Sequence, residues 1–150
     1  MEVDPRGGDA LSLLREAASE ARKLYPDHFA VDAPWPVNPP NPERGVYLLC
    51  YQEGNPVACG ALRPIDEVCV EVRRMFVTST ARRKGLARAM LRELEVRAAG
   101  FGYTIMRLET GNRQLSAMAL YEVLGFKRIA PFGAYVDDPL SICFEKTVQQ

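Results

Sequence analysis

Apolar positions along this chain repeat with two periods, and the order in which the periods alternate predicts a mixed α/β chain. Val46 to Tyr51 and Val57 to Leu62 are short aliphatic runs on either side of Glu53-Gly54-Asn55-Pro56, the pattern of a hairpin. After a turn at Asp66-Glu67, the run from Val68 to Val77 predicts a third antiparallel strand. Simple alternation there groups Glu71 with Arg73 and Met75, and sends Val70, Val72 and Arg74 to the opposite face. Leu86, Met90, Leu91 and Leu94 then recur three and four apart, a helix with one buried stripe that reaches Ala99, with Gly100 as its C-terminal cap. Tyr103 to Glu109 predicts a strand parallel to the one before the helix, because a helical crossover joins them. Gln114 to Leu124 reads as a shorter helix with Leu115, Met118, Ala119 and Leu120 inward, stopped by Gly125. Phe126 to Ala130 is a brief strand, the loop from Pro131 to Asp138 follows, and Ser141 to Thr147 is the last strand.

The N-terminal third is less regular. Glu2-Val3 has room for a short frayed strand, and Asp9 caps a helix running to about Leu24, with Leu11, Leu14, Ala18 and Ala21 on one face. Tyr25-Pro26 ends it. Between Asp27 and Arg44 the prolines at 34, 36, 39, 40 and 42 forbid a long helix. Phe29, Val31 and Trp35 point to a segment folded back on the body as one wall of a cleft. The expectation is one domain over residues 1–150, a mixed and mostly antiparallel twisted sheet of six to seven strands flanked by helices on both faces.

Composition narrows the function classes. Lys plus Arg and Asp plus Glu both number 19, so the chain has no basic excess for nucleic acid. No apolar run approaches the ~20 residues that span a bilayer, and no signal peptide opens the sequence, so no membrane partner and a cytoplasmic location are expected. Cys50, Cys59, Cys69 and Cys143 each fall within a predicted strand without metal-ligand spacing, which reads as free thiols and no metal site.

The candidate chemistry starts where the strand ending at Val77 feeds Thr78-Ser79-Thr80-Ala81-Arg82-Arg83-Lys84-Gly85-Leu86-Ala87 and opens a helix. Free N–H groups of a first helical turn carry partial positive charge and suit an anion. Arg82, Arg83 and Lys84 add full charges, and Gly85 lets the backbone approach closely. Three cations at the positive end of a helix are unfavourable without an anion, so the stretch predicts a pyrophosphate cradle; the alternative is a solvated helix start. A nucleotide-triphosphate loop and a dinucleotide fingerprint are both excluded, because neither Gly-Lys-Ser/Thr nor the three spaced glycines are present.

This loop resembles the acetyl-coenzyme A segment of the GCN5-related N-acetyltransferase (GNAT) family, Gln/Arg-x-x-Gly-x-Gly/Ala, with Arg82, Gly85 and Ala87 in the defining places. Gln114 to Phe126 resembles that family's second cofactor segment, with Ala117, Tyr121, Gly125 and Phe126 as the motif expects. It departs in one place: the usual Asn is Gln114, with Asn112 two residues earlier. The two segments cover about a third of the chain, in the family's order and separation.

The resemblance implies a GNAT-like acyl-CoA N-acyltransferase fold with acetyl-CoA as co-substrate. The diphosphate would lie over the amides from Arg82 to Ala87, including Arg83, Lys84, Gly85 and Leu86. The pantetheine would pair like an added strand with the backbone around Met75, Phe76 and Val77, between strands diverging near Val77 and Glu109. Gln114, Ala117 and Tyr121 complete the cofactor set. The implied reaction is transfer of an acetyl group to a primary amine of a small molecule by direct attack in a ternary complex. The alternatives are a non-catalytic CoA-binding sensor module and a protein or peptide N-acetyltransferase.

Tyr121 is the candidate proton donor to the leaving thiolate, against the reading of an aromatic core contact. An amine must be neutral to attack, so a base is expected: Glu71 and Glu109 compete, and a structural carboxylate paired with Arg73 or Arg107 is the alternative. No base at all, with the proton leaving through ordered water, is also open. His28, Trp35 and Tyr135 are candidate substrate contacts, and the Asp137-Asp138 pair suits either a cationic acceptor or a solvated loop. Exposed edge strands, including the C-terminal one, make a homodimer plausible.

Overall fold

The computed structural model describes residues 1–150. Helix α1 (Gly8–Leu24) leads through the proline-rich segment to strands β1 (Val46–Gln52), β2 (Asn55–Pro64) and β3 (Cys69–Val77). Helix α2 (Leu86–Gly100), strand β4 (Ile105–Gly111) and helix α3 (Leu115–Val123) follow, and strands β5 (Lys127–Ile129) and β6 (Ser141–Thr147) close the chain. The six strands form one sheet in the order β1-β2-β3-β4-β6-β5, and β3–β4 is its one parallel pair. The expected sheet of six to seven strands is present, and the seventh is vestigial. Glu2 makes a single antiparallel bridge to Leu48, flanked by the bonds Val3 N–H to Tyr47 C=O and Leu49 N–H to Met1 C=O. The C-terminal strand is not an edge: β6 lies between β4 and β5, so the short β5 and the β1 side form the borders.

Two cores follow from the alternation of side chains across the pleat. Val46, Leu48, Leu62, Val70 and Val72 meet Met90, Leu91, Leu94 and Ala98 of α2, while Tyr121, Phe126 and Phe144 continue the same layer. On the other face Tyr47, Leu49, Cys59 and Ala61 pack against Ala10 and Leu13 of α1. Helix α3 turns Ala117, Met118, Leu120 and Leu124 toward the larger core. Leu115 and Ala119, expected inward, are exposed, because burial of Tyr121 sets the helix's rotation.

Helix ends also differ from expectation. Asp9 sits in the first turn of α1, with Gly7 at the cap, and its carboxylate accepts a bond from the Tyr51 hydroxyl at 2.8 Å. Gly100 is the last residue of α2 and Gly102 is the left-handed residue, at φ +90°. Gly102 N–H reaches Ala99 C=O and Tyr103 N–H reaches Ala98 C=O, a Schellman closure that draws Tyr103 out of the following strand and into the core.

Strand β3 breaks the alternation read from sequence. Its register to β2 shifts between Cys59 and Ala61, and Arg74 is left-handed at φ +59°. This bulge inserts one residue and reverses the faces beyond it. Met75 joins the α2 core beside Val72, rather than standing with Glu71 and Arg73. Gly60 faces the bulge, and a Cβ there would lie 2.9 Å from both Leu94 and Met90 and 3.0 Å from the Met75 sulfur. Gly60→Val is therefore expected to cost about 1–3 kcal/mol through overpacking, read as a lower midpoint in urea with an unchanged m-value.

Candidate active site

Parallel pairing between β3 and β4 runs only from Cys69–Ile105 to Val72–Leu108. Beyond it β3 stays with β2 and β4 stays with β6, so the strands part and leave a gap between Arg73–Val77 and Glu109–Gly111. A cleft of about 1520 Å³ opens there, lined by Met75, Phe76 and Val77 on one side and Glu109, Gln114 and Tyr121 on the other. Gln114 is the N-cap residue of α3 and faces the cleft, whereas Asn112 is exposed outside the lining.

The loop from Thr78 to Gly85 closes one end. Its short 3-10 turn (Ser79–Ala81) is followed by Arg83 at φ +65° and Gly85 at φ +78°, the latter at the N-cap of α2. No backbone N–H from Arg82 through Arg88 donates to any group of the chain; the first amide of this helix to find a carbonyl is that of Ala89, to Gly85. A run of free donors at a helix start, continuous with the strand gap, fits an elongated ligand ending in a diphosphate. A Cβ on Gly85 would meet nothing of the protein, so glycine is set here by the left-handed backbone and by the open space over the loop.

The cations are arranged differently from the sequence expectation. Arg82 folds back, with Nη2 on Glu20 Oε1 at 2.6 Å and Nε on Val77 C=O at 2.9 Å, and so ties α1 to the loop. Thr78 adds a second tie, donating to Glu16 Oε2 at 2.5 Å. Arg83, Leu86 and Ala87 line the cleft, while Lys84 is exposed outside it. Ala117 lines it beside Tyr121.

Tyr121 is buried, its ring 5.9 Å from Phe126 and 5.7 Å from Phe144 by centroids, yet it forms part of the cleft wall. It is thus both a core contact and a group facing the gap. Burial, with a smaller contribution from the Glu109 charge, pushes its phenol up to about 12, so it holds its proton through the neutral range. Glu109 accepts a bond from the Ser141 hydroxyl at 2.5 Å, and burial nevertheless raises its carboxyl above the usual range. Glu71 accepts from the Tyr135 hydroxyl at 2.6 Å and stands 3.9 Å from Arg73 Nε. Arg107 is paired with Glu145 instead. The fold therefore brings Tyr121, Glu109, Glu71 and Tyr135 to one cleft.

The proline-rich segment forms one wall, through Phe29, Ala33, Pro34 and Pro36. Arg22 fixes it by donating to Ala33 C=O and Pro34 C=O at 3.0 and 2.9 Å. His28 and Trp35 lie outside the lining: His28 packs edge-on against Phe29, and Trp35 is stacked by the guanidiniums of Arg15 and Arg22. Asp137 and Asp138 also stay outside it, Asp138 capping the turn at Leu140. Sequence patterning missed Tyr47, Cys59 and Arg74, which the bulge and the sheet face bring to the cleft. Burial raises the Cys59 thiol to about 12, and Cys69 and Cys143 are raised by the same cause. None of these three is a ready nucleophile.

The family model for the acetyltransferase (GNAT) family matches residues 11–126. The chain is 41% identical over 101 residues to an IAA acetyltransferase of Azospirillum brasilense, an alignment covering 67% of this chain and 66% of that protein. It spans about two thirds or less of the length of the curated relatives it matches. Among solved structures, a Klebsiella pneumoniae protein described as an acyl-CoA N-acyltransferase superposes with a TM-score of 0.81 at 28% identity, covering 99% of this chain and 96% of that one. A GNAT acetyltransferase from Elizabethkingia anophelis with acetyl-CoA bound shares the fold, with a TM-score of 0.66 at 16% identity and coverage of 98% and 97%. With the divided strands, the free amides ahead of α2 and this match over most of its length, the chain belongs to the GNAT acetyltransferase family, whose acyl donor is acetyl-CoA.

Proposed function

We propose that this protein transfers the acetyl group of acetyl-CoA to a primary amine of a small molecule, by direct attack within a ternary complex. The observation that carries the reading is the unbroken run of free amides from Arg82 to Arg88, opening into the gap that Tyr121 and Glu109 line. Those amides would hold the diphosphate, and the stretch from Met75 to Val77, paired with β2 on one side and free on the side toward β4, would take the pantetheine alongside. Acetyl-CoA supplies an activated thioester, and the chain's own groups handle the protons. Tyr121 keeps its proton at neutral pH, donates it to the departing sulfur and regains one from the nitrogen as the amide forms. Glu109, with Glu71 at the closed end of the gap, takes a proton from the incoming ammonium directly or through one water. The raised, buried thiols and the absence of His28 from the cleft favour attack by the amine over an acetyl-cysteine intermediate.

Three outcomes follow. Calorimetric titration with CoA and acetyl-CoA is expected to show micromolar binding to wild type and none to Gly85→Glu, whose side chain would fill the space over the free amides; equal binding by both would remove the cradle from the site. Tyr121→Phe is expected to lower kcat by about 100-fold with little change in acetyl-CoA binding, while a rate within a factor of about two would leave Tyr121 as a packing residue only. The third concerns pH. Glu109 accepts a proton only when ionised, and its carboxyl is raised in the folded protein, so activity should increase as pH rises through a point above the ordinary carboxylate range near 4.3. Glu109→Gln should lose that limb while keeping the limb set by the acceptor ammonium. An unchanged profile would assign the proton to Glu71 or to water.

A further inference from the structure

The bulge in β3 does more than widen the strand gap. Neighbouring strand residues normally face opposite sides, yet Arg73 and Arg74 both reach the cleft, because Arg74 is held at φ +59°. A left-handed backbone at a residue with a long side chain costs roughly 1–2 kcal/mol, which the fold retains here. Arg74 is partly buried, and its donors meet only neutral oxygens, Asn38 Oδ1 at 3.0 Å and Val37 C=O at 3.4 Å. No carboxylate pairs with it. Arg73 has only the long 3.9 Å approach to Glu71, whose other partner is Tyr135. Burial and then the neighbouring Arg73 charge both push the Arg74 guanidinium down, the sign of a cation in want of an anion.

A second observation points to the same place. Tyr47 is 3% exposed and lines the cleft beside these arginines, and its hydroxyl, which lies near Asn38 and Cys59, makes no hydrogen bond of good geometry. A buried hydroxyl without a well-formed bond costs about 1–3 kcal/mol, and an acceptor atom brought by a bound molecule would relieve that cost. Around it, the cleft surface from α1 and the proline-rich wall is apolar, through Leu14, Ala17, Phe29 and Pro34. The chain as a whole is neutral, yet Arg and Lys outnumber Glu along this cleft and no Asp contributes.

We infer that the acceptor is an amino carboxylate, an amino acid or a close analogue, whose carboxylate is bound by Arg73 and Arg74 with the Tyr47 hydroxyl as a further donor. The planar fork of Arg matches a carboxylate in two bonds, and a pair of forks fixes the orientation of the acid end. The amine is then held toward Glu71 and Glu109, and an apolar substituent lies along Leu14, Phe29 and Pro34. The inference rests on the acetyl-transfer reading above and specifies its acceptor. Of the two readings of Asp137-Asp138 it favours the solvated loop: the surplus charge in the cleft is positive, which selects against polyamines and other purely cationic acceptors.

The test is a matched acceptor series followed by thiol release: L-phenylalanine, its carboxamide and phenethylamine, and likewise leucine, leucinamide and isoamylamine. The acids are expected to have kcat/KM higher by about tenfold or more than their amide and decarboxylated partners, the scale of charge-assisted bonds to a carboxylate. In Arg73→Gln and Arg74→Gln that ratio should collapse toward one, chiefly through KM for the acid, with CoA binding retained; Arg74→Lys should restore part of it. Two variants are used because Arg74 also anchors Asn38, and the urea midpoint, measured independently of any ligand, reports that each is folded. Equal or better use of the amides and plain amines by wild type would overturn the inference and leave acetyl transfer standing. So would a loss of CoA affinity in Arg73→Gln, which would assign the arginines to the cofactor's phosphates. If no amine turns over, the acetyl-transfer reading fails; titration of CoA-loaded protein with the acids against the amides then decides whether the arginines bind a carboxylate.

Discussion

Parallel strand pairing needs both strands to keep one course, and here β3 and β4 keep it for four residues each before separating after Val72 and Leu108. The separation has an identifiable origin. The bulge at Arg74 bends β3 toward β2, where Gly60 leaves the space, while β4 stays in register with β6 through Gly111. Every functional group described depends on that divergence. It leaves the facing sides of β3 and β4 without a strand neighbour beyond the last pair, opens a slot to the amides ahead of α2, and exposes the edge of Tyr121 in an otherwise closed core.

The same constraint shapes the cleft on the face of the sheet opposite α2. Helix α1 covers only part of the face opposite α2, and it is held at a fixed distance by ties near its C-terminal half: Glu16 to Thr78, Glu20 to Arg82, and the Tyr25 hydroxyl accepting from Arg113 N–H at 2.8 Å. Gly111 makes the last contact possible, since a Cβ there would collide with the Tyr25 hydroxyl. The proline-rich segment then fills the remaining side through Asn38, which bonds Pro5 C=O and Arg74. A segment without regular structure is thus anchored at side chains, and prolines lower the entropy lost in fixing it.

The electrostatics divide along the cleft. Toward the α2 end the favourable field comes from oriented amides, with Arg82 neutralised by Glu20 rather than offered to a ligand. Toward α1 it comes from the two arginines of the bulge. Between them lie two carboxylates and two phenols, Glu109 and Tyr121, Glu71 and Tyr135, with burial raising three of the four. Groups whose protonation is shifted by burial beside an open slot are suited to proton transfer.

Local chemistry determined much of this in the sequence itself. The strand and helix order is carried by hydrophobic period, and Ser141–Thr147 and the β1–β2 hairpin follow from it because short-range patterning specifies them. The helix start at Gly85 was legible too, because it is a local feature, and so was the position of Tyr121 and Glu109 beside it, which the motif spacing and the strand end single out. What the tertiary structure alone decided are pairings between distant residues. Nothing in the run from Val70 to Val77 announces a bulge, which arises where Gly60 of another strand meets Met90 and Leu94 of a helix, and a one-residue shift reverses Met75 and brings Arg74 beside Arg73. Trp35 and His28 look like cleft residues by type, yet Arg15 and Arg22 from α1 capture the first and Phe29 the second. Periodicity fixes which face a residue takes within its own element, whereas the site is made by elements meeting, and that depends on packing between side chains far apart in the chain.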